Sequence, residues 1–344
     1  MSIDRRTFIA ASAAAASTTF VVPTIVVAAP KDKFTVAVGA EHALVYLPWD
    51  VAKALDYFDQ EGLDVTLTYT KGGTEAGLAL VSGNVDYSGN AIDHAIAAAQ
   101  QGKNLVMISD FMDQPGITLL CKPESKAKFP NGASLKGKTI GITSVGSATD
   151  VLAHWIAHRN GIAHDDIKTV GVGGGATVMA AVQTGQVDVA FALDPYATLM
   201  LRSGRAVAVA DMFSAKVTRE WLGFSQDTFT GALTRADVIA KNPERTQKVV
   251  NALTRAMKLM ATVSAQKLAS ILPDEFRGGA STDDWAASYA HSRPAYGPLG
   301  RTNVDGVRAV IEMNDFFLGR QSTVDPNKLF DNTFVERAVK TVRV

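Results

Sequence analysis

Ser82-Gly83-Asn84-Val85-Asp86 and, 102 residues later, Thr184-Gly185-Gln186-Val187-Asp188 are near copies of one another. With the same shift and no gap, Gly39 falls on Gly141, Gly72 and Gly73 on Gly174 and Gly175, and Gly102 on Gly204. Glycine recurs where helices stop and where backbone must turn or approach something closely, so coincident glycines mean coincident loops. Between them, short β-rich runs alternate with helical stretches in the same order in each copy. The first copy reads as strands at 34–38, 65–69, 85–87 and 105–109 with helices at 47–58, 74–81 and 91–101. The second reads as strands at 139–142, 167–171, 187–191 and 206–209 with helices at 150–159, 177–183 and 196–201. This pattern predicts parallel sheets covered by helices, and so an α/β protein of two similar lobes.

In open α/β sheets, ligands sit beyond the carboxyl ends of the strands. Two such lobes facing each other line one cleft with loops 40–46, 70–74, 88–93 and 110–114 from the first and 143–149, 172–176 and 192–196 from the second. Ser144-Val-Gly-Ser147-Ala-Thr149-Asp150 opens a helix, where free amides and the helix dipole favour an anion. Plain capping by Ser147 with Asp150 is the competing reading. Gly171-Val-Gly173-Gly174-Gly175-Ala176 fits the loose dinucleotide pattern G-x-G-x-x-A, but it follows the second strand of its lobe rather than the first. His154 and His158, four apart on a helix with His164 following, could meet a metal or simply form a solvated face. Trp155 stands where the H-E-x-x-H pattern needs its glutamate. Glu41 with His42 and Asp93 with His94 bring carboxylates and imidazoles to the cleft, able to orient a polar ligand or to act as acid and base. Tyr46, Phe111, Tyr196 and Trp49 are the aromatics near the cleft; Trp49 and Tyr196, inside helices, read more as core than Tyr46 and Phe111 do. No G-x-S-x-G elbow or Walker loop occurs, so catalysis finds little support.

The rest of the chain has no repeat partner. A strand is expected at 229–233. A helix follows from Asn242-Pro243, where Asn caps and Pro suits the first helical position. Val249, Val250, Leu253, Met257, Met260 and Val263 give that helix an apolar stripe. The C-terminal helices are expected to pack back on the first lobe, so that the chain crosses between lobes twice and forms a hinge. The turn-rich stretch 290–303 reads as a surface loop.

At the other end, Asp4-Arg5-Arg6-Thr7-Phe8-Ile9 precedes an uncharged apolar or small run from Ala10 to Ala29, the layout of a cleavable secretory signal with a twin-arginine pair. An uncleaved anchor is the alternative, diluted by Ser, Thr and Pro23. The lone Cys121 leaves no internal disulfide and no thiol for a lipid anchor in the signal region. Lys plus Arg and Asp plus Glu number 34 each, so no basic field draws the chain to nucleic acid.

The strings Leu55-Asp-Tyr-Phe-Asp-Gln-Glu-Gly-Leu-Asp-Val65, Gly72-Gly-Thr74, Leu135-Lys-Gly-Lys-Thr-Ile-Gly141 and the two Gly-x-Val-Asp copies resemble the ABC-importer binding proteins for sulfonates, taurine, nitrate and thiamine-pyrimidine precursors. The resemblance implies a type II periplasmic-binding-protein fold whose lobes close on a ligand. It implies residues 1–29 as signal, 30–118 plus 226–344 as lobe 1 and 119–225 as lobe 2. It also implies a non-enzymatic role: an exported, soluble, periplasmic monomer without a lipid anchor or cofactor, delivering a small polar ligand to an ABC permease. The expected ligand-binding residues are Glu41, His42, Tyr46, Gly73, Thr74, Asn90, Asp93, Phe111, Ser144, Ser147, Thr149, Gly174 and Asp194. Glu41, Asp93 and Asp194 near the cleft, with no arginine, depart from the sulfonate pattern and favour a ligand carrying an amine or ring nitrogen beside a polar group. The alternative is an exported enzyme using a nucleotide or metal cofactor on a related α/β fold.

Overall fold

The structure, a computed structural model, describes residues 31–224, 228–297 and 299–343. The secretion signal expected within 1–29 lies outside the described residues. In the first half the elements are β1 (Asp32–Val38), α1 (Leu47–Ala54), α2 (Tyr57–Gln60), β2 (Leu63–Tyr69), α3 (Gly73–Val81), β3 (Tyr87–Ala91), α4 (Asp93–Ala99) and β4 (Leu105–Asp110). There follow β5 (Ile117–Cys121), β6 (Thr139–Ile142), α5 (Ala148–Arg159), β7 (Lys168–Gly171), α6 (Thr177–Thr184), β8 (Val189–Leu193), α7 (Tyr196–Arg202), β9 (Val207–Asp211) and α8 (Ala215–Leu222). The chain ends with β10 (Thr230–Arg235), α9 (Ala236–Lys241), α10 (Pro243–Thr262), α11 (Ala265–Ile271), α12 (Thr282–Ser292), α13 (Val304–Phe317) and α14 (Thr333–Thr341). Among the described residues no helix is long and apolar enough to cross a membrane.

Two five-stranded sheets carry the two lobes, ordered β2-β1-β3-β10-β4 and β7-β6-β8-β5-β9. The 102-residue shift relates four of the five strands of one order to the other, all but the fourth: β3 moved by 102 lands on β8, and β4 on β9. The fourth position of each sheet is an antiparallel strand donated by chain that has just crossed from the other lobe, β5 in the second and β10 in the first. The chain leaves the first sheet after Asp110 and joins the second at Ile117. β5 was not expected from the sequence. All five of its residues are buried, Thr118 included, so it lacks the apolar–polar alternation that marks a half-exposed strand. The expected helix at 47–58 is broken at Asp56, whose left-handed φ of 56° ends α1 and starts α2.

α10 buries five of the six residues of the expected stripe, Val249, Val250, Leu253, Met257 and Met260; the sixth, Val263, caps the helix end and is half-buried. Asn242 accepts from the Arg245 amide at 2.9 Å, the cap its position before Pro243 predicts. This helix packs on α1, α2 and α14, as expected for the first lobe. Two other helices depart from that expectation: α12 packs on α7 of the second lobe, and α13 bridges α4 and α5. Stretch 290–303 is likewise not a surface loop. Its residues 290–292 finish α12, and Ser292 and Ala295 are buried. Its backbone pairs with the first crossing, Asp113 N–H to Ala295 O and Gly297 N–H to Phe111 O at 2.9 Å each. Burial at the crossing forces these polar groups to pair, which proline and glycine in the sequence do not reveal.

Candidate functional site between the lobes

The loops at the carboxyl ends of the strands meet directly. Leu44 N–H donates to Asp194 O at 2.7 Å, and Gly174 N–H donates to Lys71 O at 3.3 Å. The hydroxyls of Thr74 and Ser144 lie 3.1 Å apart, and Thr74 also donates to Val145 O at 3.0 Å. The paired glycines of the repeat explain how the backbones come so close. A Cβ on Gly72 would stand 2.6 Å from Ser144 Oγ, and one on Gly174 would stand 2.9 Å from Ala40 Cβ.

Behind these contacts lies an inner cavity of about 20 Å³, room for one water. Both lobes line it. Tyr46, Gly73 and Asn90 come from the first, and Ser147 and Thr149 from the second, five of the expected residues brought to one place. His94, which the sequence reading brought to the cleft with Asp93, and Thr143 and Ala148 of the expected loop 143–149 also line it, though none of the three was in the expected ligand-binding set. The second-lobe wall is a ring of hydroxyls: Thr143 Oγ1 donates to Ser147 Oγ at 2.8 Å, Ser147 and Thr149 are 2.9 Å apart, and Thr143 and Thr149 3.0 Å. The Ser147 side chain makes no capping bond to α5, so the helix start remains turned to the cavity with its first amides uncapped. Asp150, on the same turn, instead accepts from Gly146 N–H at 2.9 Å and pairs with His154 at 3.5 Å. Burial opposes its ionisation, but these bonds outweigh it and hold the carboxyl below its ordinary range.

On the first-lobe side, Asn90 is fully buried and committed, its Nδ2 donating to Gly73 O at 2.9 Å and its Oδ1 accepting from the Ala91 amide at 2.9 Å. Asp93 is buried beside it without lining the cavity; burial pushes its carboxyl up, against the pull of His94. Burial likewise raises the Tyr46 phenol, and Asp93 adds to the effect.

The other expected residues lie elsewhere. Glu41, Ser144 and Gly174 line an outer cleft of about 1140 Å³, together with the glycine-rich loop and Tyr196. Thr74 is a bridge across the lobes. His42, at a left-handed φ of 50°, packs on Tyr69 and pairs with Asp50 at 3.5 Å, while Tyr69 donates to Asp50 at 2.5 Å. Burial opposes protonation of His42, but Asp50 prevails and raises it. Phe111 is wholly in the core, as is Trp49. Asp194 is fully buried and its carboxylate is consumed: it accepts from Thr198 N–H at 2.9 Å, Ser292 Oγ at 2.8 Å and His291 Nδ1 at 2.7 Å. The other nitrogen of His291 pairs with Asp211 at 3.0 Å. Burial disfavours the imidazolium, but the two carboxylates raise His291 to about 10. His154 and His164 stack face to face at 3.9 Å and His158 stacks on Phe316 at 4.0 Å, an arrangement of ring faces rather than of converging nitrogens.

Residues 40–263, more than half of the chain, match the NMT1/THI5-like family. The chain belongs to that family. A relative within reach of this NMT1/THI5-like chain is the 4-amino-5-hydroxymethyl-2-methylpyrimidine phosphate synthase of Candida albicans (strain WO-1), 26% identical over 233 residues, 67% of each protein. Among solved structures, a protein of Bordetella bronchiseptica RB50 superposes with a TM-score of 0.83 at 26% identity, covering 90% of this chain and 98% of that one. The alkanesulfonate-binding protein SsuA from Xanthomonas axonopodis pv. citri, bound to MOPS, superposes with a TM-score of 0.66 at 21% identity over 90% of this chain and 99% of its own. The likeness to SsuA is one of fold: this member of the NMT1/THI5-like family has the two-lobed periplasmic-binding-protein architecture.

Proposed function

We propose that this protein is the extracytoplasmic solute-binding subunit of an ABC importer, capturing a small polar organic ligand between its lobes and presenting the closed form to a permease. The observation that carries the reading is the inner cavity, closed to the room of one water and walled by hydroxyls from one lobe and ring groups from the other, so that a ligand admitted there by a parting of the lobes would be held from both sides. The contacts already formed by Thr74 with Ser144 and Val145 are those a closed, ligand-retaining form needs. Sulfonate, nitrate or a nitrogen heterocycle fits the mixture of hydroxyl, imidazole and phenol. Export through a twin-arginine signal and life as a periplasmic monomer belong to the same proposal. A ligand that binds only the folded protein raises its melting temperature by mass action. Thermal-shift screening of sulfonates, taurine, nitrate, aromatic acids and pyrimidines is expected to give a concentration-dependent rise with at least one class; a flat response to all would count against capture.

A second reading is favoured by the synthase relative: a chain of this fold that makes rather than carries a pyrimidine. The two separate by mass spectrometry of the purified protein. Release of an unaltered small metabolite on denaturation supports capture, and appearance of a new pyrimidine phosphate during incubation supports synthesis.

A further inference from the structure

Across the inner cavity from α5, one buried polar atom has no hydrogen-bond partner. His94 is about nine-tenths buried, with 10% of its side chain exposed, and its Nε2 is buried without a hydrogen bond. It faces the same space as Ala148 and Thr149, the first two residues of the 12-residue α5, whose amides have no acceptor within the helix. The surroundings are shaped around the imidazole. A Cβ on Gly73 would stand 2.6 Å from Nε2, and one on Gly77 would stand 3.3 Å from the ring. Its charged neighbour is Asp93, 3.9 Å away. Among the described residues lining the cavity there is no lysine or arginine and no carboxylate.

A buried donor or acceptor left unpaired costs on the order of 1–3 kcal/mol, a cost removed when a ligand atom pairs with it. A buried charge without a counter-charge costs far more, and the cost rises with each further charge. Resting on the capture reading above, we propose that His94 is the specificity-determining contact of the first lobe. Its Nε2 bonds the ligand group that the α5 amides and the hydroxyl ring hold from the opposite side. The site thereby selects small monoanions and rejects dianions, because neutral donors and one imidazole can meet a single negative charge but no fixed cation is present for a second.

The test compares matched probes at pH 8 by calorimetry and thermal shift: benzoate with phthalate, and nitrate and methanesulfonate with sulfate. The wild type is expected to bind a monoanion at least about tenfold more tightly than its dianionic match. His94→Ala should lose about tenfold or more for that monoanion, His94→Gln should recover part of it, and His94→Lys should shift preference toward the dianion. The melting temperature of each variant without ligand shows that it is folded. Equal or tighter binding of dianions by the wild type, or unchanged affinity in folded His94→Ala or His94→Gln, overturns the assignment while capture stands. Binding of none of these probes by the wild type, with other ligand classes still active, likewise overturns it; silence toward every class overturns capture as well.

Discussion

His291 is held between Asp194 and Asp211 where α12 meets the second lobe. Its folded value of about 10 stands above the 6.5 of an ordinary histidine, so its stabilisation is complete below about 6.5 and is lost as pH rises through 10. His291→Ala should therefore cost about 1–3 kcal/mol in urea unfolding at neutral pH, with the gap to wild type narrowing above pH 10. Asp93 has the same sign from a different cause. Burial raises its folded value above 3.8, so the charged form weakens the fold and stability falls as pH climbs through that value. Asp93→Asn should melt higher than wild type at neutral pH, and the advantage should vanish in acid. At this scale the sequence located the cleft loops but not which side chains turn into the cavity. Asp194 sits where a ligand carboxylate contact was expected, and only its partners in α12, far along the chain, show that its oxygens are already taken. His94 left a fainter signal: Gly73 and Gly77, one turn apart on α3, remove the side chains that would otherwise fill the imidazole's place.

At the scale of elements, the repeat was the strongest guide because punctuation by glycine survives where side chains diverge. β3 and β8 coincide under the shift although the sequence reading placed both about two residues early. The antiparallel β5 and β10 carry no copy of each other's sequence, since each is set by the sheet it enters rather than by its own unit. α10, by contrast, was legible in both cap and stripe. Leu253 is fully buried in that stripe, so Leu253→Ala should cost about 2–5 kcal/mol without changing the fold, measured as a lower urea midpoint with an unchanged slope. A cost well under that range would mean that α10 is more loosely seated on α1 and α2 than its burial indicates.

For the whole molecule the governing question is what sets the separation of the lobes. Hydrogen bonds of Thr74 to Ser144 and Val145, and of Gly174 to Lys71, join them at the cleft. On the far side, α13 spans α4 and α5, and α12 rides on α7. The cleft contacts are a few hydrogen bonds between loops, whereas the helical contacts are more extensive and include the buried bonds of His291 and Ser292 to Asp194 and the stacking of His158 on Phe316, so opening should break the former and bend about the latter. Gly72 is the place to test this. Its φ of −174° is extended backbone that any residue adopts, so a larger residue there meets no local strain, only Ser144 across the cleft. Gly72→Val should fold with the wild-type far-ultraviolet spectrum, show a larger radius of gyration in X-ray scattering, and lose ligand-dependent stabilisation, because a wedged cleft cannot bring the hydroxyl ring and His94 onto one ligand. Equal radii for the two proteins would show that the contact between residues 72 and 144 does not limit closure, and that the α12 and α13 contacts alone fix how the lobes sit.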